Sequence, residues 1–274
     1  MNDFSAVVKI DITSFGAESV AEGDYSTALS AGSLASGVGA TATGYKSLAT
    51  ANFSTAFGAL SSAIGHKNTA AGYKSMTSAS LSTAIGSDTE ASGENSTVIG
   101  HGGLASGNFS MACGSNSKTL ADNSIALGCN SIASGVGATS SGYNSKALAG
   151  NSTSIGVNSR AYSISGTALG ANSMAHGDFC VALGACSTTD EVVSTRETII
   201  AGHSYKFAGS VAQGTVSIGN SNSENINRTI TNLAAGRIEK YSTDAINGSQ
   251  LYAVKELIEI LHSRLNEINK NLFK

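Results

Sequence analysis

From Ser26 to Ser187 the chain repeats every seven residues without a slip, through 24 consecutive units. The first residue of a unit is Ser in 17 of the 24, the exceptions being Ala40, Asn68, Thr89, Gly103, Ala138, Gly166 and Cys180. Two residues further on, 18 of 24 are Ala, and four further on, 17 of 24 are Gly. A repeat of this kind sets the architecture before any residue-level reading. Composition alone, with 32 Gly, no Pro and 13% charged residues, is that of a flexible low-complexity chain. A disordered linker has no reason to keep such a register, so the repeat overrides the composition.

The first, third and fifth positions of each unit are small, and the second and fourth are variable. Alternation by two is the strand period, and Gly, Ser and Thr are poor helix formers. Each unit therefore predicts a five-residue strand followed by a two-residue turn. The small face demands a narrow interior, which a coil of two strands back to back provides. Alternate units differ in their outward residues. In the set beginning at 26, 40 and 54 none of the variable positions is charged, and nine of twelve second positions are Thr. The other set carries Glu90, Lys118, Lys146, Arg160 and Asp190. The true repeat is thus 14 residues, one apolar strand and one polar strand.

Twelve such coils run over residues 26–190, and weaker copies, ITSFG from Ile12 and SVAEG from Ser19, predict an incomplete coil within residues 1–25. Pro is absent because each coil's backbone N–H groups must bond the next coil. An interior of Ser, Ala and Gly buries little apolar area, so one rod alone is marginal. Its outward strip of Leu29, Phe57, Ile85, Ile99, Leu127, Ile155, Leu169 and Leu183 is an apolar patch of the kind that marks an interaction site. Identical rods packed strip to strip relieve both problems. The polar strand and the turns are left as a candidate ligand-binding surface: Glu90, Lys118, Ile132, Lys146 and Arg160, with the turn aromatics Tyr45, Phe53, Tyr73, Phe109, Tyr143 and Phe179.

Near the C-terminus, Leu251, Val254, Ile258, Leu261, Leu265, Ile268 and Leu272 follow steps of three and four. That is an a/d seam, and it predicts an α-helical coiled coil over residues 251–274 between identical chains. The mixture of Leu, Ile and Val leaves dimer and trimer open.

The segments NSIALGCNS at 123–131 and NSTSIGVNS at 151–159 resemble the head signature of the YadA-like trimeric autotransporter adhesins. TVSIGN at 215–220 and RTITNLAAGRIEKYSTDAINGSQLYA at 228–253 resemble that family's neck, with Arg228, Asn232, Gly236, Asp244, Asn247 and Gln250 on its recurring positions. The resemblance implies a left-handed parallel β-roll head in a homotrimer, a connector and neck over 191–250, and the start of a stalk from 251. It also implies a bacterial surface protein, placed at the outer membrane, that binds host matrix proteins or cell-surface receptors. The family begins with a signal peptide and ends with a membrane β-barrel anchor. Neither pattern is expected here, so any membrane contact would come through a missing anchor domain.

Other classes find little support. A net charge of −3 supplies no electrostatic case for nucleic acid. No 18-residue apolar run exists to span a bilayer as a helix. The five His form no HExxH or comparable ligand pair, the Gly-rich runs lack a Gly-Lys-Ser/Thr ending, and no GxSxG elbow is present. The four Cys include no CxxC pair. No catalytic residue, metal or cofactor is predicted, and the protein is not read as an enzyme. Two other readings remain: a trimeric phage or viral fibre, and an ice- or surface-binding solenoid built on the Thr column.

Overall fold

A computed structural model describes residues 11–221 and 225–272. The first ten residues of the expected incomplete coil and the last two of the stalk segment lie outside the described residues. The chain divides into two compact units. The first runs to Glu191 and resumes at Gln213–Asn227; the second comprises Val192–Ala212 and Arg228 onward.

The first unit is a parallel solenoid. Thirteen three-residue strands, joined at the end by the two-residue Val216–Ser217, form one 14-stranded sheet, and two-residue strands of the polar set form a 12-stranded sheet. Neighbours in each sheet are related by 14 residues, as in Thr27↔Thr41↔Thr55 and Leu34↔Leu48↔Ser62. Thr13–Phe15 and Val20–Ala21 make the coil that precedes Ser26.

The strands are three and two residues long rather than the five predicted. The corners take up the difference, because each is a four-residue turn. At the Gly44–Ser47 corner the Ser47 N–H donates to the Gly44 carbonyl at 3.1 Å, and the Ser47 hydroxyl donates to the same oxygen at 3.0 Å. The arrangement recurs at Ser61, Ser117, Ser131 and Ser159. Ser is therefore the common first residue for two reasons: it fits the narrow interior, and its buried hydroxyl finds an acceptor in its own turn. Corners also bond from coil to coil, as when Gly44 N–H meets Leu29 O at 3.0 Å and Lys46 N–H meets Ala31 O at 3.0 Å. Even the turns need their N–H groups, and Pro has no place in them.

Two rows of special backbone explain the residue choices at the corners. The residue before every unit, from Tyr25 to Cys186, is left-handed, with φ between +52° and +67°. Eight of these are Asn and four are Gly, the residues that accept this conformation most readily. The fifth position is Gly in eleven of twelve apolar-set units but in only six of twelve polar-set units. The apolar-set glycines have φ from +107° to +141°, whereas Ala51, Ala79, Ala121 and Ala149 occupy the polar-set row with ordinary φ. A side chain at Gly128 would in addition bring a Cβ within 2.7 Å of the Gly142 carbonyl oxygen in the next coil.

Ala and Ser fill the interior, nearly all with no exposed surface. Several of the larger or polar substitutions there are matched across the coil. Ser140 and Ser154 pair their hydroxyls with Ser145 and Ser159 at 2.7 Å, and the Thr119 hydroxyl donates to that of Ser110 at 2.9 Å. Val98 is the largest side chain fully buried, and it fits because the unit opposite starts with Gly103. A Cβ at Gly103 would lie 2.8 Å from Val98 Cγ1.

The solenoid does not stop at residue 190. Val216–Ser217 pairs in parallel with Val181–Ala182 and adds a last strand to the first sheet. The TVSIGN segment at 215–220, read from the sequence as resembling the neck, thus carries one more strand of the solenoid, with T-V-S-I-G at the usual positions of a repeat unit. Val181 and Val216 are 35 residues apart, 21 more than one coil, and the segment Val192–Ala212 is 21 residues long.

In the second unit, Glu197–Ile200 and His203–Lys206 form an antiparallel hairpin. Ala201 and Gly202 both have positive φ, the requirement of a two-residue type I′ turn. The helix Gly248–Leu272 carries the heptad seam, and none of its residues is buried within the chain. Among the described residues no helix is long and apolar enough to cross a membrane.

Candidate functional site

The second unit places four of the six neck residues in one hydrogen-bonded knot. Gly236 N–H donates to Gln250 Oε1 at 2.9 Å, and Gln250 Nε2 donates back to Gly236 O at 2.6 Å. Asn247 caps the helix: its Oδ1 accepts from Gln250 N–H at 3.3 Å and from the Ser249 hydroxyl at 2.8 Å. Its Nδ2 donates to Leu233 O at 3.1 Å. Asp244 accepts two bonds from the Arg237 guanidinium, at 2.8 and 3.1 Å, and one from the Arg237 N–H at 3.1 Å. The side-chain bond to Arg237, aided by the backbone one, lowers the Asp244 carboxyl below its ordinary value and raises Arg237. Arg237 is the member of this knot that the motif positions missed. An Arg seven residues before the acidic residue of the motif was the signal for it. Asn232 bends the chain with φ of +60°.

On the first unit the two candidate surfaces lie on different sheets. Along the apolar sheet, Ile85↔Ile99 and Ile155↔Leu169↔Leu183 stack in direct register, with Thr43, Ala71, Cys113 and Ser141 interrupting the column. Phe57 is 61% exposed and the others, Leu29 apart, are about 40% exposed. Leu29 is half-buried. Within one chain this strip has no cover.

Along the polar sheet, Lys118, Ile132, Lys146 and Arg160 are consecutive neighbours. Lys118 and Lys146, with Ile132 between them, share a shallow groove with Asn116, Asn130 and Asn144. The asparagines are left-handed corner residues, and from Asn144 an amide ladder runs on beyond the groove, Asn144 donating to Asn158 at 2.9 Å and Asn158 to Asn172 at 3.2 Å. Glu90 pairs with Leu104, two coils from Lys118, and does not belong to the groove. The turn aromatics are exposed, and the ammonium groups of Lys46 and Lys74 lie 5.3 and 5.2 Å from the ring centres of Tyr45 and Tyr73. Tyr162, which no repeat position singled out, stacks its ring on that of His176 with the centroids 4.8 Å apart.

Among the described residues no three His, Cys, Asp or Glu side chains gather where a metal ion could be held. The four cysteines are free; Cys180 is buried and its sulfur accepts from the Thr215 N–H at 3.3 Å.

These features define a class: a repeat protein that combines a parallel β-solenoid with a helix bearing an open heptad seam. The YadA head domain repeat matches residues 13–29, 35–61, 78–102, 105–131, 133–159 and 161–185, more than half of the chain. The coiled stalk of trimeric autotransporter adhesin matches residues 229–271. The chain belongs to the trimeric autotransporter adhesins with a YadA-type head. Autotransporter adhesin BtaE of Brucella suis biovar 1 (strain 1330) is 54% identical over 86 residues, which are 31% of this chain and 11% of that protein. The chain thus spans a small part of the length of that relative. The collagen-binding domain of the Yersinia adhesin YadA is similar in structure, with a TM-score of 0.50 and 26% identity, covering 70% of this chain and 84% of that one. The C-terminal YadA-like domain of BPSL2063 from Burkholderia pseudomallei is 44% identical, with a TM-score of 0.38, over 39% of this chain and 50% of that one.

Proposed function

We propose that three copies of the chain pack with their apolar strips around a common axis. Leu29, Phe57, Ile85, Ile99, Leu127, Ile155, Leu169 and Leu183 would then line the head interface, and the seam from Leu251 to Leu272 would line the stalk. The polar sheets and corners, with Glu90, Lys118, Ile132, Lys146 and Arg160, face outward at the bacterial surface. They bind a host matrix protein or cell-surface receptor by contact rather than by chemistry. The observation that carries this reading is the exposed apolar column on one sheet opposite a polar column on the other.

Binding is distributed along the rod. The repeat presents similar side chains every roughly 4.8 Å, and weak contacts repeated along three chains gain strength through effective concentration. Removal of residues 82–109, two whole coils, preserves the register and is expected to weaken adhesion to matrix-coated surfaces in proportion. Single substitutions at Lys118, Lys146 or Arg160 are expected to do little. Loss of all binding from one such substitution, in a correctly folded trimer, would replace the distributed surface by a localised site.

A further inference from the structure

The segment Val192–Ala212 is an insertion that the solenoid does not use. Across it the coil closes as though nothing intervened: Val181 N–H meets Thr215 O at 2.8 Å and Thr188 N–H meets Gly219 O at 2.9 Å. Joining Glu191 to Gln213 would leave Gln213 and Gly214 as a two-residue turn between the units at Ser187 and Thr215, the spacing found everywhere else. Gly214 would then stand at the left-handed corner position, which glycine adopts freely.

What the insertion builds has order but no core. The Ser194 hydroxyl accepts the Ala212 N–H at 3.0 Å and so ties its base. The Phe207 N–H bonds Arg196 O at 2.9 Å, and the Ser204 hydroxyl donates to Glu197 Oε2 at 2.9 Å. Yet Ile199 is 72% exposed and Ile200 59%, one on each face of the hairpin, and Tyr205 and Phe207 are exposed as well. A two-stranded hairpin without a covered face is marginal in water.

The same compact unit contains the neck and helix, and Gly209 of the insertion lies against the Thr243 side chain of the neck. That neck and helix match the stalk of a trimeric family, and they too have their apolar residues uncovered in a single chain. From this continuity we infer that the hairpin is an inter-subunit clasp, its apolar faces at Ile199 and Ile200 docking on a second copy of this chain beside the neck. The inference rests on the trimeric reading above and adds to it a contact outside the head strip and the helical seam.

The experiment uses the full chain, a deletion of residues 192–212 and the double variant Ile199→Asp/Ile200→Asp. Subunit exchange between differently labelled trimers is followed by energy transfer, with circular dichroism as the check on folding. Both variants are expected to keep the β signal and to exchange about tenfold faster or more, the rate equivalent of losing one modest apolar contact. Exchange and melting unchanged in the double variant overturn the inference, whatever the deletion does. Unchanged exchange together with lost adhesion also overturns it and assigns the hairpin to a host ligand. A monomeric full-length chain, by contrast, would remove the trimeric reading itself.

Discussion

Between Ser26 and Thr189 the interior is closed by one chain, whereas along the helix Gly248–Leu272 no residue is buried by its own chain. The two regions use opposite chemistry. The coils bury Ala and Ser, gain little from apolar area, and rely on a backbone whose strands and corners are bonded to the coil on either side. The second unit has abundant Leu and Ile but nowhere within the chain to put them. The stability of the first rests mainly on these local hydrogen bonds, although its apolar strip still calls for partners. That of the second depends on other copies and hence on concentration.

Removal of residues 251–274 should separate the two most sharply. The β signal is expected to survive, while the melting temperature falls by about 10 °C or more and sedimentation shows dissociation at micromolar concentration. A well-folded full-length monomer under those conditions would break the contrast. Next in size is a substitution on the proposed axis. Ile99→Asp places three like charges in an apolar seam and should cost several kcal/mol, whereas Lys118→Asp on the polar sheet should change stability by no more than about 0.5 kcal/mol. Equal effects on the urea midpoint would overturn the assignment of the two sheets.

The closed interior has its own test. Gly103→Ser restores the commonest residue of the repeat yet collides with Val98, so it should destabilise by about 1–3 kcal/mol. The double variant Val98→Ala/Gly103→Ser should recover most of that loss. Additivity of the two changes in a double-mutant cycle would show that they do not share the space.

The smallest effect belongs to the neck. Asp244 has its carboxyl lowered by Arg237, so its contribution is present above the ordinary carboxylate value and is lost as the pH falls through the lowered one. Because both groups are exposed, a weak acid loosening of the neck is expected below roughly pH 4. Asp244→Asn should abolish that pH dependence in proton-titrated hydrogen exchange. Retention of the full dependence in the variant would place the titrating group elsewhere.

Much of this was legible in residue order. Seventeen Ser at one position and 18 Ala two residues later gave the coil and its narrow interior. The heptad seam gave the helix. Pooling the 24 units hid one distinction, since Gly at the fifth position is nearly obligatory in one set and optional in the other. The reason is conformational: only the apolar-set row has a φ that side chains disfavour. The candidate surfaces were legible as columns, because a 14-residue period places Lys118, Ile132, Lys146 and Arg160 in line. The groove was not, because it depends on which way the corner asparagines turn.

The sequence by itself determined the period, the two unlike strands and the need for partners, because each follows from residue size and spacing along a short local stretch. Only the tertiary structure decided that Val98 is accommodated by Gly103, that Arg237 holds Asp244, and that Val216 continues the sheet begun 35 residues earlier. In each case the deciding contact depends on how the backbone turns between the two residues, which their spacing alone does not state. The strand at Val216 shows the reason most plainly: a sheet is extended by whichever backbone presents its N–H and C=O groups in register, and 21 residues of intervening chain do not alter that match.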